Sequence, residues 1–446
     1  MKKVITYGTF DLFHEGHYNL LKRAKELGDY LIVGITTEQY DISRGKLGVV
    51  DDIVTRIDNV RATGFADKII IEDHAGQKIE DVQKYGVDIY TVGSDWVGKF
   101  DFMSNYCQVV YLERTKGVSS SMIRETSRKV VKLGITGSGR IARRMVPEVR
   151  LVSGINVECV YNPHLESAQH MVDEFELAMA TDSMEQMLST VDAVYIASPH
   201  NTHYEYAKIA LESGKHVLCE KPMTFRKREA EELYEIAKKN GVILMEAVKT
   251  AYCPGFVQMM NVAGSGAIGA IRDVEACFTR LTPKNIRELT DLRFGGSFTE
   301  LATYSMLPIF KLMGTEYKDV RFDSVLADNG LDLYTRTSFT FEKGFGTCKN
   351  GLGVKSEGQL IISGTEGYIL AESPWWLTKK FEIRYEDPNR RDVREMAFLG
   401  DGLRYEVSDF VSMINGSNKT FKFTPEESIA MAGVMEKFVD ARLLKK

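Results

Sequence analysis

No uninterrupted apolar run in the 446 residues approaches the roughly 20 needed to cross a bilayer as a helix. The opening Met1-Lys2-Lys3 leads into a charged strand pattern and lacks a signal-peptide core, so a soluble, cytoplasmic protein is expected. No charge excess stands out either. Lys and Arg number 57 against 62 Asp and Glu, a net charge of −5 with both signs interspersed, which excludes a basic footprint for nucleic acid or an anionic membrane. The six cysteines (107, 159, 219, 253, 277 and 348) are scattered and form no C-x-x-C, which fits reduced thiols and argues against a disulfide framework. Internal repeats and low-complexity segments are missing too. What remains is a globular chain long enough for about three domains on the usual length prior.

One stretch organises the first part of the chain: Val4-Ile5-Thr6-Tyr7-Gly8-Thr9-Phe10-Asp11-Leu12-Phe13-His14-Glu15-Gly16-His17. An apolar run ending in Gly-Thr reads as a buried parallel strand, and Tyr18 to Leu27 have helical apolar spacing. His14 and His17 therefore fall at a helix mouth, where unpaired N–H groups and the helix dipole attract phosphate and two imidazoles can donate to oxygens gaining charge. A zinc pair or local hydrogen bonding is the alternative, but zinc needs further Cys or His ligands and none lies close in sequence. Strand-like runs at 30–35, 68–71, 89–92 and 109–112 alternate with helical stretches such as 78–85, the pattern of a parallel, helix-covered sheet. Ser119, Ser120 and Ser121 read as the cap of a last helix, a phosphate site or an ordinary N-cap.

Gly8-Thr9-Phe10-Asp11 together with His14-Glu15-Gly16-His17 resembles the signature of the glycerol-3-phosphate cytidylyltransferases, and the likeness runs to about residue 127. Arg44 and Lys46 fall where that family places two phosphate-binding lysines. Gly93-Ser94-Asp95-Trp96 through Asp101 resembles its second block, and Arg114-Thr115-Lys116-Gly117-Val118-Ser119-Ser120 its third, with Ser for the usual Thr pair. The resemblance implies His14, His17, Lys46 and Arg114 as catalytic residues. It also implies CTP contacts from Gly8, Thr9, Phe10, Asp11, Asp95, Trp96, Thr115, Ser119 and Ser120, with Mg²⁺ accompanying CTP and no dedicated protein metal site. One departure stands out: Gly64 occupies the position of a family arginine, for which Arg56 or Arg61 would have to substitute.

Val130 to Thr136 forms a second buried-strand pattern, followed by Gly137-Ser138-Gly139-Arg140-Ile141-Ala142 and a helical stretch. A G-x-G-x-x-A between strand and helix is a dinucleotide fingerprint, because the glycines permit close approach of the backbone to a pyrophosphate. The next strand ends in Tyr161-Asn162-Pro163-His164 without the acidic residue that suits an NAD ribose, so NADPH is weakly favoured over NADH. Ala197-Ser198-Pro199-His200-Asn201-Thr202-His203 and Cys219-Glu220-Lys221-Pro222 follow. With the glycine loop these resemble the Gfo/Idh/MocA oxidoreductases over about 130 to 446. That likeness implies a cofactor site of Gly137, Ser138, Gly139, Arg140, Ile141, Asn162, Ser198, Pro199, Asn201, His203, Glu220 and Lys221, and catalysis by Lys221 with Tyr304 and Glu300. The last two stand i, i+4 on one helix face in Gly296-Ser297-Phe298-Thr299-Glu300-Leu301-Ala302-Thr303-Tyr304. Lys249 reads equally as a phosphate ligand or a surface charge.

The expected architecture is α/β: a nucleotidyltransferase domain with a parallel sheet (1–127), a Rossmann domain (130–253), and an α+β domain (254–446) whose largely antiparallel sheet floors the second site and whose last helices return to the Rossmann domain. A bifunctional enzyme follows, with CTP and a small sugar or polyol phosphate as partners, a CDP-linked polyol for a surface polymer as product, and a homo-oligomeric state, dimer or tetramer. An adenylyltransferase, a dehydrogenase unrelated to the first activity, and a non-catalytic nucleotide-sensing module are the rival readings.

Overall fold

In a computed structural model, residues 1–446 are described except 12, 38–39, 42–48, 50, 52, 114–129, 284, 417–419 and 444–446. The chain divides into two compact units: Met1–Val131 with Arg150–Asn156, and Lys132–Val149 with Val157–Lys446.

The first unit runs β1 (Lys3–Gly8), α1 (Glu15–Glu26), β2 (Tyr30–Thr36), α2 (Ile53–Ala62), β3 (Lys68–Glu72), α3 (Gln77–Tyr85), β4 (Ile89–Gly93) and β5 (Gln108–Leu112). Its five strands lie in the order β3-β2-β1-β4-β5, all pairs parallel. Because successive side chains on a strand point to opposite faces, the apolar run of β1 feeds two cores. Val4 packs with Leu21, Leu31, Val33 and Val60, whereas Ile5 and Tyr7 pack with Ile32, Val82, Tyr90 and Met103. The order of strands reverses between β1 and β4, which pair through Thr6 and Thr91. The loops leaving Gly8 and Gly93 therefore open side by side at the sheet's carboxyl edge, the place where such sheets bind ligands.

The second unit holds two sheets. Its first part runs β6 (Val131–Thr136), α4 (Arg140–Val149), β7 (Ile155–Tyr161), α5 (Leu165–Phe175), β8 (Met179–Thr181), α6 (Met184–Thr190), β9 (Ala193–Ile196), α7 (His203–Glu212), β10 (His216–Glu220), α8 (Lys227–Asn240) and β11 (Leu244–Ala247). The order β8-β7-β6-β9-β10-β11 is that of the dinucleotide-binding fold, with its crevice at the β6/β9 switch point.

The chain continues through α9 (Pro254–Gly264), β12 (Ile271–Thr279), α10 (Arg287–Thr290) and α11 (Ser297–Met313) into β13 (Asp319–Leu326), β14 (Asp332–Thr340), β15 (Phe345–Gly351), β16 (Leu360–Gly364), β17 (Tyr368–Ala371), β18 (Lys380–Arg384) and β19 (Arg391–Glu395). These strands form an eight-stranded sheet in the order β13-β14-β15-β12-β16-β17-β18-β19. It is antiparallel at every pairing except β12/β15. The helix α11 lies across β12 and β15, so close that a Cβ on Gly346 would meet Ile309 Cγ2 at 2.6 Å.

Two last helices, α12 (Leu403–Ile414) and α13 (Pro425–Leu443), pack back on the first sheet's helices. A buried Arg404 grips Glu148 of α4 through Nε (3.0 Å) and Nη2 (2.6 Å). From α13, Glu436 accepts from the main-chain N–H of Lys227 at 3.1 Å and Asp440 from Arg226 at 2.7 Å.

Candidate active sites

The first site begins where β1 ends. His14 is the N-cap of α1, with extended φ −139° and ψ 174°, and its Nδ1 accepts from the N–H of Gly16 at 3.0 Å. That bond fixes the ring: a Cβ on Gly16 would sit 2.8 Å from His14 Cε1. One turn on, the ring of His17 stacks on that of His14, centroids 3.9 Å apart and planes 21° apart. Phe10 and Phe13 flank His17 at 5.4 and 5.6 Å. Phe10 adopts a left-handed φ of +53°, uncommon for a bulky residue, and folds its ring so tightly that a Cβ on Gly8 would meet it at 2.9 Å. Phe10, Phe13 and the two imidazoles thus pack together, and both imidazoles sit at the positive end of α1.

Behind the loop lies a buried polar cluster. Thr9 Oγ1 donates to Asp41 Oδ1 at 3.1 Å, and Asp11 Oδ1 accepts from the N–H of Asp51 at 2.8 Å. Arg56, fully buried, donates to the carbonyls of Thr9 (3.0 Å), Thr36 (2.7 Å) and Asp51 (2.9 Å) and stands 3.8 Å from Asp41. It therefore ties the ends of β1 and β2 together, a different position from that of a phosphate ligand replacing the arginine missing at Gly64. Arg61 is exposed and pairs with Asp58.

At the neighbouring strand end, Asp95 and Trp96 fall on a 3₁₀ turn, Ser94–Trp96. Trp96 is 37% exposed, with Lys99 Nζ 5.1 Å from its ring and Phe100 beside it. Lys46, Arg114, Thr115, Ser119 and Ser120, as well as Arg44 and Ser121, lie outside the described residues.

In the second unit, Gly137 adopts φ +92°, and a Cβ there would meet Ala197 O at 2.8 Å. Only glycine suits that point. A Cβ at Gly139 would meet nothing, leaving room for a diphosphate against the start of α4, where Arg140 is exposed and Ile141 half-buried. Asn162 Nδ2 donates to Ser138 Oγ at 2.9 Å and Asn162 Oδ1 accepts from the N–H of His164, so the end of β7 is pinned to the glycine loop. These residues fit a dinucleotide.

Beyond β9, Ser198 Oγ accepts from Thr202 at 2.7 Å, and Pro199 and Asn201 are exposed. His203 differs. It is wholly buried, its nitrogens 2.9 Å from the carbonyls of Pro222 and Ser198. Burial outweighs both carbonyls and holds its pKa down at about 4, so the ring is a neutral tie beneath the two loops.

Lys221 follows β10 and precedes a cis proline. Its Nζ donates to the carbonyl of Glu300 at 3.0 Å and lies 5.4 Å from the ring of Tyr304. Glu220 accepts from Tyr195 at 2.6 Å and from the N–H of Lys221. The Glu300 carboxylate points elsewhere, 3.7 Å from His200 Nδ1 and 3.8 Å from Arg287 Nη2. Those residues, with Asn201, Asp291 and Phe294, line a small cleft. Burial pushes the Tyr304 hydroxyl up, so it stays protonated.

Further residues join the site, and of these Glu406 and Arg144 escaped the sequence reading. Glu406 on α12 is fully buried, and neither carboxylate oxygen has a hydrogen-bond partner among the described residues; burial and Glu220 push its pKa well up. Glu246, buried at the end of β11, accepts from Met223 N–H at 3.0 Å, and burial raises it to about 7. Arg144 completes the set, Nε donating to Asp401 at 2.7 Å. Lys249 is no surface charge: mostly buried, it donates to the carbonyl of Asp401 at 2.8 Å. Only an apolar-to-charged break within a helix such as Tyr405-Glu406-Val407 hinted at any of this.

A helix-mouth histidine pair on one parallel sheet, with a glycine loop and a lysine at strand ends of another, defines a nucleotidyltransferase joined to a nicotinamide-dependent oxidoreductase. The chain belongs to the cytidylyltransferase-like family, whose profile matches residues 5–126, and residues 131–248 match the Gfo/Idh/MocA profile, an oxidoreductase family with an NAD-binding Rossmann fold.

The glycerol-3-phosphate cytidylyltransferase of Bacillus spizizenii is 47% identical over 125 residues, 28% of this chain and 96% of that protein. The scyllo-inositol 2-dehydrogenase (NADP(+)) IolU of Bacillus subtilis is 27% identical over 69% of this chain and 95% of that one. A 3-ketoreductase from Actinomadura kijaniata, solved with NADP and TDP-benzene, shares the fold with TM-score 0.59 and 22% identity, over 69% of this chain and 96% of that chain. The protein is thus an enzyme of two activities. No helix among the described residues is long and apolar enough to cross a membrane.

Proposed function

We propose that residues 1–127 transfer CMP from CTP to a small sugar or polyol phosphate, and that domains at 130–253 and 254–446 reduce a carbonyl of that sugar, free or CDP-linked, with NADPH. The observation that carries this reading is the His14–His17 stack at 3.9 Å on the N-terminus of α1. In the first reaction a phosphate oxygen of the acceptor attacks the α-phosphorus of CTP and pyrophosphate leaves. His14 and His17 donate to the oxygens that gain charge, Lys46 and Arg114 hold phosphates, and Trp96 lies beside the nucleotide. Mg²⁺ would arrive on the CTP phosphates.

In the second reaction NADPH supplies the hydride. Gly137, Ser138, Gly139 and Arg140 hold the diphosphate, and the neutral Asn162 tolerates a 2′-phosphate that a carboxylate there would repel. Lys221 gives its proton to the carbonyl oxygen, Tyr304 donates a hydrogen bond to the same oxygen, and the Glu300 main chain aims the ammonium. A CDP-polyol is the expected joint product, suited to building a surface polymer. Reduction of a free cyclitol or sugar, unconnected with the first site, is the second reading, favoured by the likeness to IolU. Incubation with CTP and a panel of ketose and polyol phosphates, with and without NADPH, followed by mass analysis, tests both. The joint reading requires a CDP-polyol that forms only with NADPH when a ketose phosphate is supplied.

A further inference from the structure

Three cations gather at the carboxyl edge of the six-stranded sheet. The strands β10 and β11 pair with Glu220 opposite Ala247, so Lys221 and Lys249 leave neighbouring strand ends. Arg144 comes from α4, one turn past Arg140, and reaches the same place through Asp401: its Nε donates to Asp401 Oδ2 at 2.7 Å, while Lys249 Nζ donates to the carbonyl of Asp401 at 2.8 Å. Asp401 is itself fixed, between Gly400 (φ +59°) and Gly402 (φ +81°), ahead of a helix clamped by the Arg404–Glu148 pair.

The two cations are incompletely used. Among the described residues Lys249 makes that one hydrogen bond, to a neutral carbonyl, and the terminal nitrogens of Arg144 make none. Burying a lysine that far without a bonded carboxylate is costly unless something else takes its charge. Among the described residues no nearby acid hydrogen-bonds the Lys249 ammonium. Asp401 is ionised, its pKa lowered by Arg144. Burial raises the pKa of Glu406 and Glu220, Glu220 already accepts from Tyr195 and the N–H of Lys221, and Glu148 is held by Arg404. Lys249 and Arg144 are thus short of bonded carboxylates, and they crowd each other: after burial, Arg144 is the largest influence lowering Lys249. The imbalance is that of a site waiting for an anion.

We infer that Arg144 and Lys249 form a phosphate subsite of the oxidoreductase centre, so that its carbonyl substrate carries a phosphate, either as a monoester or within a CDP-linked diphosphate. This rests on the reduction proposed above. Lys221 addresses the carbonyl, and Lys249, from the adjacent strand end, addresses the anionic end of the same molecule. Binding energy from that end then orients the carbonyl against the cofactor.

The test compares a ketopentose, its 5-phosphate and its CDP-linked form as substrates at saturating NADPH, in the full chain and in its Arg144→Gln and Lys249→Met variants, with NADPH binding followed by fluorescence. The expected result is a wild-type preference for phosphate-bearing over free ketopentose that falls about 10- to 100-fold in each variant, mainly through KM, as befits loss of a charge-assisted hydrogen bond. Which phosphorylated form loses more tells monoester from diphosphate. An unchanged preference, or an equal loss on the free sugar, overturns the subsite. A loss confined to NADPH affinity overturns it too, assigning the charge to the cofactor. If the wild type reduces only the free ketopentose, the subsite falls and the reductase stands; if it reduces none of the three, the reductase reading falls.

Discussion

Lys221 and Glu300 are joined by one hydrogen bond, ammonium Nζ to main-chain carbonyl at 3.0 Å, across 79 residues of sequence. The bond uses no side-chain atom of Glu300, which frees that carboxylate to face His200 and Arg287. The contact that aims the lysine is therefore indifferent to the side chain at 300. Lys221→Met should therefore lower hydride transfer about 10²- to 10⁴-fold, the usual range for a lost general acid. Glu300→Asp should cost far less. Steady-state reduction of a ketose phosphate, monitored at the nicotinamide absorbance, decides between them; comparable losses in the two variants would mean that the carboxylate is the group that matters.

For the first site the prediction concerns the imidazole pair. His14→Ala removes the N-cap as well as a charge-stabilising donor, whereas His17→Ala removes a ring from within the helix. Each should lower pyrophosphate release from CTP about 10²- to 10³-fold. Only His14→Ala should also lower thermal stability, by about 1 kcal/mol, as is typical for a lost cap. Hydride transfer by the same preparations should persist. Normal CTP turnover in both variants would remove the cytidylyl assignment.

Gly137 gives a sharper test of the dinucleotide loop. Gly137→Ala combines a left-handed φ of +92°, which costs an L side chain about 1–2 kcal/mol, with a Cβ driven to 2.8 Å from Ala197 O. The loop must shift, and NADPH affinity should fall at least tenfold. Gly139→Ala, which meets nothing in the protein, should fold normally. A fluorescence titration with NADPH measures both, and unaltered affinity in Gly137→Ala would place the diphosphate elsewhere.

What the sequence makes legible is what lies close along the chain. The strand-loop-helix around His14 (Lys3–Glu26) and the one around Gly137 (Val131–Val149) are each local in the chain, so strand pattern, glycines and helix spacing stand together and the placement on parallel sheets follows. The role of Arg56 in tying strand ends is not legible in the sequence, because its partners Thr9, Thr36 and Asp51 belong to three separate segments that the fold brings together. For Lys249 the sequence leaves a phosphate ligand and a surface charge equally open, because Asp401, which holds it, comes from the far end of the chain. His203 looked like part of a cofactor loop, yet it turns inward, since the first residue of α7 faces the sheet. Burial of a polar residue is a tertiary property, and no local pattern marks it.

Glu406 is the residue with the most unusual surroundings. It is fully buried with both oxygens unbonded among the described residues, and burial together with Glu220 pushes its pKa well above the usual carboxylate range. A group whose folded-state pKa is raised is best tolerated below its unfolded value, about 4.3, and becomes a growing liability as pH rises through the folded one. Replacing it by an apolar side chain of similar size removes that liability, because an unsatisfied buried polar group costs about 1–3 kcal/mol. Glu406→Met should therefore raise the melting temperature of the second unit, more at pH 8 than at pH 5. Reduction of a ketose phosphate should slow, since the carboxyl lies within electrostatic reach of Lys249 and Tyr304. Differential scanning calorimetry at the two pH values, beside the kinetic assay, checks the pair of outcomes. A variant that melts lower at both pH values would mean that this carboxyl is bonded in solution, with no stability withheld for the sake of the site.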